Sequence, residues 1–178
     1  FPPMNIKAGL SGLPSLPTGE ISARASNDAP RRLNAQLRSS EDGAIRIPSL
    51  SYAGRGFDLD GSAQINAGRQ TVNLDLRYEG ENGAEPWPGI NAEGAATAKG
   101  VLSRDGALNR MSVSADAFAM NDFSVSGLNL TAEGPPGAVR VSIDAAALET
   151  GAVGEVSDLA ASGVVNATGP TTLRLNKF

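Results

Sequence analysis

Phe57-Asp58-Leu59-Asp60-Gly61-Ser62-Ala63-Gln64-Ile65 is followed, after the turn Ala67-Gly68-Arg69, by Val72-Asn73-Leu74-Asp75-Leu76-Arg77-Tyr78. In both runs an apolar or small residue alternates with a polar one, and every charge falls on the polar set. Successive side chains of an extended strand point to opposite sides, so a period of two describes a strand with one dry and one wet face. Antiparallel and meandering sheets are the architectures that keep one face dry and the other wet.

The same period extends in both directions. Upstream, Ile21, Ala23 and Ala25 alternate with Glu20, Ser22 and Arg24. Leu33, Ala35 and Leu37 alternate with Asn34, Gln36 and Arg38, and Ile45 and Ile47 flank Arg46. Downstream, Ala92, Gly94, Ala96 and Ala98 form a small-residue strand. Met111, Val113, Ala115 and Ala117 oppose Ser112, Ser114 and Asp116. Phe123 and Val125, then Leu128 and Leu130, change parity near Gly127, which predicts a bulge. Val139, Val141 and Ile143 follow, and Leu173 and Leu175 end the pattern. No segment carries a helical stripe. The best helical candidate, Asp144 to Glu149, reads equally well as the end of a strand.

Turn residues punctuate the runs at Glu41-Asp42-Gly43, Arg104-Asp105-Gly106 and Gly134-Pro135-Pro136-Gly137. The organisation predicted is a Pro- and Gly-rich lead-in over 1–18, a first β cassette over 19–80, a loop over 81–89 and a second cassette over 90–178. All lie within one continuous β domain. Gly56-Phe57-Asp58-Leu59 resembles Gly127-Leu128-Asn129-Leu130, and Val72 to Leu76 resembles Val139 to Ile143, which suggests a degenerate repeat.

The chain has 178 residues, enough for one domain with a sizeable core. Only 4% of residues are aromatic against 40% hydrophobic, so the dry face must be built from aliphatic residues and alanine. The net charge is −4, with no basic cluster beyond Arg31-Arg32, and no stripe for a nucleic acid is present. No apolar run approaches the roughly 18 residues that a membrane helix needs. The N-terminal Phe1-Pro2-Pro3-Met4 has neither an initiating Met nor the regions of a signal peptide, so the chain reads as an internal piece of a longer protein.

The sequence contains no His and no Cys, which removes Ser-His and Cys-His nucleophiles and the usual zinc sites. The best carboxylate pair, Asp58 and Asp60, sits on the wet parity without aromatic neighbours for a sugar, so a solvated face explains it better than catalysis. A non-enzymatic chain that needs no cofactor is therefore expected. Trp87, between Pro86 and Pro88, reads as a loop aromatic that caps the edge of the core, or else as an interface anchor.

The dry face has two readings. It is either the interior of a closed sandwich or barrel, or the lining of an open, curved sheet that receives acyl chains. Composition and period leave both open.

Gly100-Val101-Leu102-Ser103 to Ala107-Leu108-Asn109, then Phe123-Ser124-Val125-Ser126-Gly127-Leu128-Asn129-Leu130-Thr131-Ala132-Glu133-Gly134, pair a Gly-rich turn with a G-x-L-x-L strand. Gly56-Phe57-Asp58-Leu59-Asp60-Gly61 echoes them. This style covers most of residues 19 to 178 and resembles the AsmA-like superfamily, TamB-like proteins within it. The resemblance implies an all-β, repeat-like sheet forming an open β-taco-like groove with an aliphatic interior. It further implies a periplasmic stretch of an inner-membrane-anchored protein of a diderm bacterium, which carries phospholipids or assists outer-membrane assembly with a barrel partner that engages other parts of the parent chain. The family has no catalytic motif to transfer. By strand parity, the groove would be lined by Ile21, Leu33, Leu37, Ile45, Ile47, Phe57, Leu59, Ile65, Val72, Leu74, Leu76, Val113, Phe123, Val125, Leu128, Leu130, Val139, Val141, Ile143, Leu173 and Leu175. The competing expectation is a structural or adhesive β-repeat, or a sandwich with a closed core.

Overall fold

The computed structural model describes residues 4–12, 17–25, 31–41, 43–66, 68, 70–103, 109–135, 137–151, 154–166 and 172–177. Twelve strands are present among them: β1 (Met4–Ser11), β2 (Thr18–Ala25), β3 (Arg32–Ser39), β4 (Ala44–Gly54), β5 (Phe57–Asn66) and β6 (Thr71–Gly80). Then come β7 (Ala92–Ser103), β8 (Arg110–Met120), β9 (Phe123–Glu133), β10 (Val139–Thr150), β11 (Gly154–Asn166) and β12 (Thr172–Lys177). They form one antiparallel sheet in sequence order, each strand paired with the next. β1 does not pair with β12, so the sheet is open. Short turns between consecutive alternating runs leave each strand little choice but to lie beside its predecessor, and a meander results.

The period of two explains most of the boundaries, with three differences. The sheet begins inside the segment expected to be a lead-in, because Met4–Ser11 pairs with β2 over its whole length. Asp144 to Glu149 is strand, lying within β10. The stretch from Val153 to Val165, where the alternation between Ile143 and Leu173 is weaker, supplies most of β11, the longest described strand at 13 residues. The expected turn Arg104-Asp105-Gly106 lies outside the described residues, as do Ala107 and Leu108. The loop over residues 81–91 does not break the sheet, since β6 and β7 pair from Thr71↔Ser103 to Gly80↔Gly94.

The register shifts at three places among the described residues: between β11 and β12 at Ser162/Gly163, and at two positions farther inside the sheet. In β4 the register shifts between Arg46 and Ser49 against β3 and between Ile47 and Leu50 against β5, so β4 carries an extra residue around Pro48-Ser49. Proline lacks the N–H that a ladder needs, which makes a bulge its natural place in an interior strand. The other inner shift lies between Gly94 and Thr97 of β7, where β8 has one residue more. Beyond it, β8 to β11 stay in mutual register, so the change of parity expected at Gly127 is shared by Asp116, Ala146 and Asp158 on neighbouring strands. Gly94, Gly127 and Asp158 have positive φ along this line.

No two non-neighbouring strands approach within 8 Å between Cα atoms among the described residues. The accessible surface is 11451 Å², whereas a compact monomer of this mass exposes about 8,100 Å². A single layer accounts for the excess, because no second layer covers it. Among the described residues the buried aliphatic and aromatic side chains are accordingly small: seven alanines, Val125 and the larger Phe57. Phe57 is 3% exposed, so Phe57→Ala should destabilise the sheet by about 3–5 kcal/mol. Urea unfolding followed by circular dichroism measures this; a loss below about 1 kcal/mol would place the core elsewhere.

Candidate aliphatic binding face

Register converts the strand pattern into rows that cross the sheet. One row runs Ala8–Ile21–Ala35–Leu50–Gly61–Leu76–Ala98–Val113–Leu130–Ile143–Ala161, each residue directly opposite the next. It is apolar in every position from β1 to β11. With neighbouring strands about 4.8 Å apart, it is about 48 Å long. A parallel row follows from Ile47 through Ala63, Leu74, Gly100, Met111, Ala132 and Val141 to Gly163.

Large and small residues alternate along the second row and, from Ala8 to Val113, along the first, where Leu130 and Ile143 follow as further large residues. The side chain of Leu76 lies over Gly61, where an added Cβ would come within 2.6 Å of Leu76 Cδ2. The small residues therefore act as seats for their larger neighbours, and the surface stays continuous without deep pits.

All the parity-selected residues described with side chains fall on this one face. Ile21, Leu33, Leu37, Ile45, Ile47, Leu59, Val72, Leu74, Leu76, Val113, Phe123, Leu128, Leu130, Val139, Val141 and Ile143 are half-buried there. Phe57 and Val125 are buried, and Ile65 is exposed. For Leu173 and Leu175 only the register is described, opposite Val165 and Gly163. Sequence reading missed Leu50, Tyr52, Phe118 and Met120, and counted Ala117, which is exposed. These four lie just beyond a bulge, where the period resumes with opposite parity, and reading each strand as two half-runs would have found them; Ile6, Leu10 and Leu102, also on this face, lie in the expected lead-in and at a strand end. Large residues remain open to solvent on this face, with Leu102 42% and Met111 41% exposed.

The polar face carries the charges. Lys99 pairs with Asp75 at 3.1 Å and Arg110 with Glu133 at 3.5 Å. Exposed pairs of this kind contribute little to stability. Asp58 and Asp60 are exposed on this side, opposite Glu79 and Arg77. A hollow of about 500 Å³ also lies here, lined chiefly by polar-side residues such as Arg46, Gln64, Asn73, Lys99 and Arg110. A twisted sheet is saddle-shaped and so has a concave diagonal on each side.

One end of the aliphatic face is closed by aromatic packing. Phe57 lies 5.2 Å from Tyr52, Tyr52 lies 5.5 Å edge-on from Trp87, and Tyr78 lies 5.9 Å edge-on from Phe118. Gly80 and Gly94 lie between Phe57 and Phe118 in the register and leave room for these rings. Three hydrogen bonds tie this end together: Tyr52 Oη to the Pro86 carbonyl at 3.0 Å, Tyr78 Oη to the Ala92 carbonyl at 2.7 Å, and Arg31 Nη2 to the Glu85 carbonyl at 3.0 Å. Trp87 thus caps this edge, 46% exposed.

Burial raises the pKa of both tyrosines above the usual 10.0, and for Tyr52 the nearby Arg31 guanidinium partly opposes it. The folded state therefore holds these protons more tightly than the unfolded chain. Their contribution is complete below pH 10.0 and is lost as the pH rises through the folded values. The urea midpoint should fall above about pH 10, and the fall should be shallower in Tyr52→Phe and Tyr78→Phe. An unchanged alkaline slope in both variants would contradict this.

These features define the class: an all-β protein of one open antiparallel layer, with a polar side and a continuous aliphatic side that the other described residues leave uncovered. No family model, curated protein or solved structure matches the chain, so its class rests on its own geometry.

Proposed function

We propose that this chain is a segment of a periplasm-spanning lipid conduit of the TamB-like kind, in which the aliphatic side receives phospholipid acyl chains and supports outer-membrane biogenesis. The observation that carries the reading is the apolar row across eleven strands, on which no layer packs among the described residues. An apolar sheet face is ordinarily covered by a second layer. A long uncovered one, bordered by polar residues, marks an interaction surface.

Hydrocarbon suits it chemically. Each methylene removed from water contributes about 0.8 kcal/mol, so a tail lying along the row gains several kcal/mol. The alternating seats offer similar contacts at each step, which favours sliding over capture in a single pocket. The parent protein would be anchored in the inner membrane of a diderm bacterium and would reach an outer-membrane barrel through its other parts.

The test is mass spectrometry of lipids extracted from natively purified protein. Stoichiometric phospholipid supports the conduit. Lipid-free protein whose aliphatic side is occupied only by polypeptide would instead support a structural or adhesive β-repeat.

A further inference from the structure

At the aromatic end of the sheet lies a cavity of about 520 Å³, lined by Arg31, Arg55, Gly56, Phe57, Glu81 and Glu85 among others. It is framed by the β4–β5 turn and the loop over residues 81–91, which are joined by the Glu81 N–H donating to the Gly56 carbonyl at 2.7 Å. Arg31 is only 6% exposed, and its Nε is buried without a hydrogen-bond partner. Its side chain donates to the neutral Glu85 carbonyl, and no carboxylate among the described residues lies within ion-pairing distance of Arg31 or Arg55.

A buried guanidinium without a counter-charge is costly, and a buried donor without an acceptor adds to the cost. Both are relieved by an oxyanion at this point, for which the guanidinium fork is the best-shaped partner in a protein. The cavity is not simply cationic, however. Glu81 and Glu85 share its rim, so its formal charge is balanced. Phe57 connects it to the aliphatic side, since this residue lines the cavity and its ring packs on Tyr52, which shares that face with Leu50.

We propose that this cavity seats a phosphodiester head group bearing an amine, with the phosphate toward Arg31 and Arg55 and the ammonium toward Glu81 and Glu85. This rests on the reading of the aliphatic side as a lipid surface: the tails of the seated lipid run out over Tyr52 and Leu50. The cavity thereby acts as a head-group station at one rim of the sheet.

Trp87, the sole tryptophan, lies 5.5 Å from Tyr52 and reports on the site by its fluorescence. The full chain is titrated with dihexanoylphosphatidylethanolamine, with dihexanoylglycerol, which lacks the phosphate, and with inorganic phosphate. The phospholipid should bind about tenfold more tightly than the glycerol lipid. Arg31→Met should abolish that margin. Arg55→Ser, in an exposed turn that tolerates the change, should reduce it by about threefold without altering dihexanoylglycerol binding.

Equal affinity of the two lipids, unmoved by either arginine variant, overturns the head-group station while leaving the lipid surface standing. If neither lipid binds but inorganic phosphate does so in an Arg31-dependent way, the oxyanion site stands with a free phosphate as its source, and the lipid surface fails. Absence of all three interactions overturns both.

Discussion

Leu76→Asp should reduce the affinity for a long-chain phospholipid by about a hundredfold while leaving the strand content intact. Leu76 occupies the middle of the longest apolar row, between Gly61 and Ala98, and is half-buried. A carboxylate there keeps its water, so a tail crossing this strand must leave a gap of about four methylenes, worth about 3 kcal/mol. Because Leu76 reaches solvent, the charged side chain remains hydrated and the folding cost should stay near 1–2 kcal/mol. The measurement is displacement of a fluorescent-tailed lipid, with circular dichroism as the control. Asp75→Asn, one residue away on the polar side, should leave lipid binding unchanged. Unfolding of Leu76→Asp would mean that the aliphatic side serves as a structural core. Unchanged lipid affinity would remove the conduit.

A large effect on stability should come from Gly94→Val. Gly94 has φ +95°, and a Cβ there would lie 2.2 Å from the Ala117 carbonyl oxygen on β8. A β-branched residue meets both penalties, unfavourable backbone and direct overlap with a main-chain atom that cannot rotate away. The loss should be at least about 4 kcal/mol, enough to unfold a sheet of ordinary marginal stability. Gly100→Ala on the same strand is the control. Its Cβ would meet its nearest atom at 3.2 Å with φ in the usual region, so its effect should be about 1 kcal/mol or less. Urea unfolding of both variants distinguishes a specific requirement at the bulge from a general intolerance of β7. A Gly94→Val protein as stable as Gly100→Ala would show that the bulge does not need glycine.

Both predictions concern features that differ in how visible they are in the chain. The placement of Leu76 on the aliphatic side follows from alternation alone, because Leu74, Leu76 and Val72 share a parity that no bulge disturbs. Leu50 and Tyr52 belong to the same face as Ile45 and Ile47, yet an extra residue at Pro48-Ser49 reverses their parity. The same holds for Phe118 and Met120 against Val113. A period of two is blind across an inserted residue, since one added unit exchanges the two sides. The Arg31 cavity was invisible for a different reason. Arg31 and Glu85 are 54 positions apart, and only the path of the loop over residues 81–91 brings them within hydrogen-bonding distance.

Alternation and frequent turns were sufficient to determine an all-β chain with aliphatic and polar sides, because side-chain direction along a strand is a local property. Whether the aliphatic side would be sealed is not local. It depends on whether the sheet closes or acquires a second layer, and that is a matter of contacts between distant strands. The tertiary structure decided it: β1 and β12 remain apart, and neighbours in space are neighbours in sequence. Register then aligned residues from eleven strands into one continuous apolar row, an order that no single strand contains.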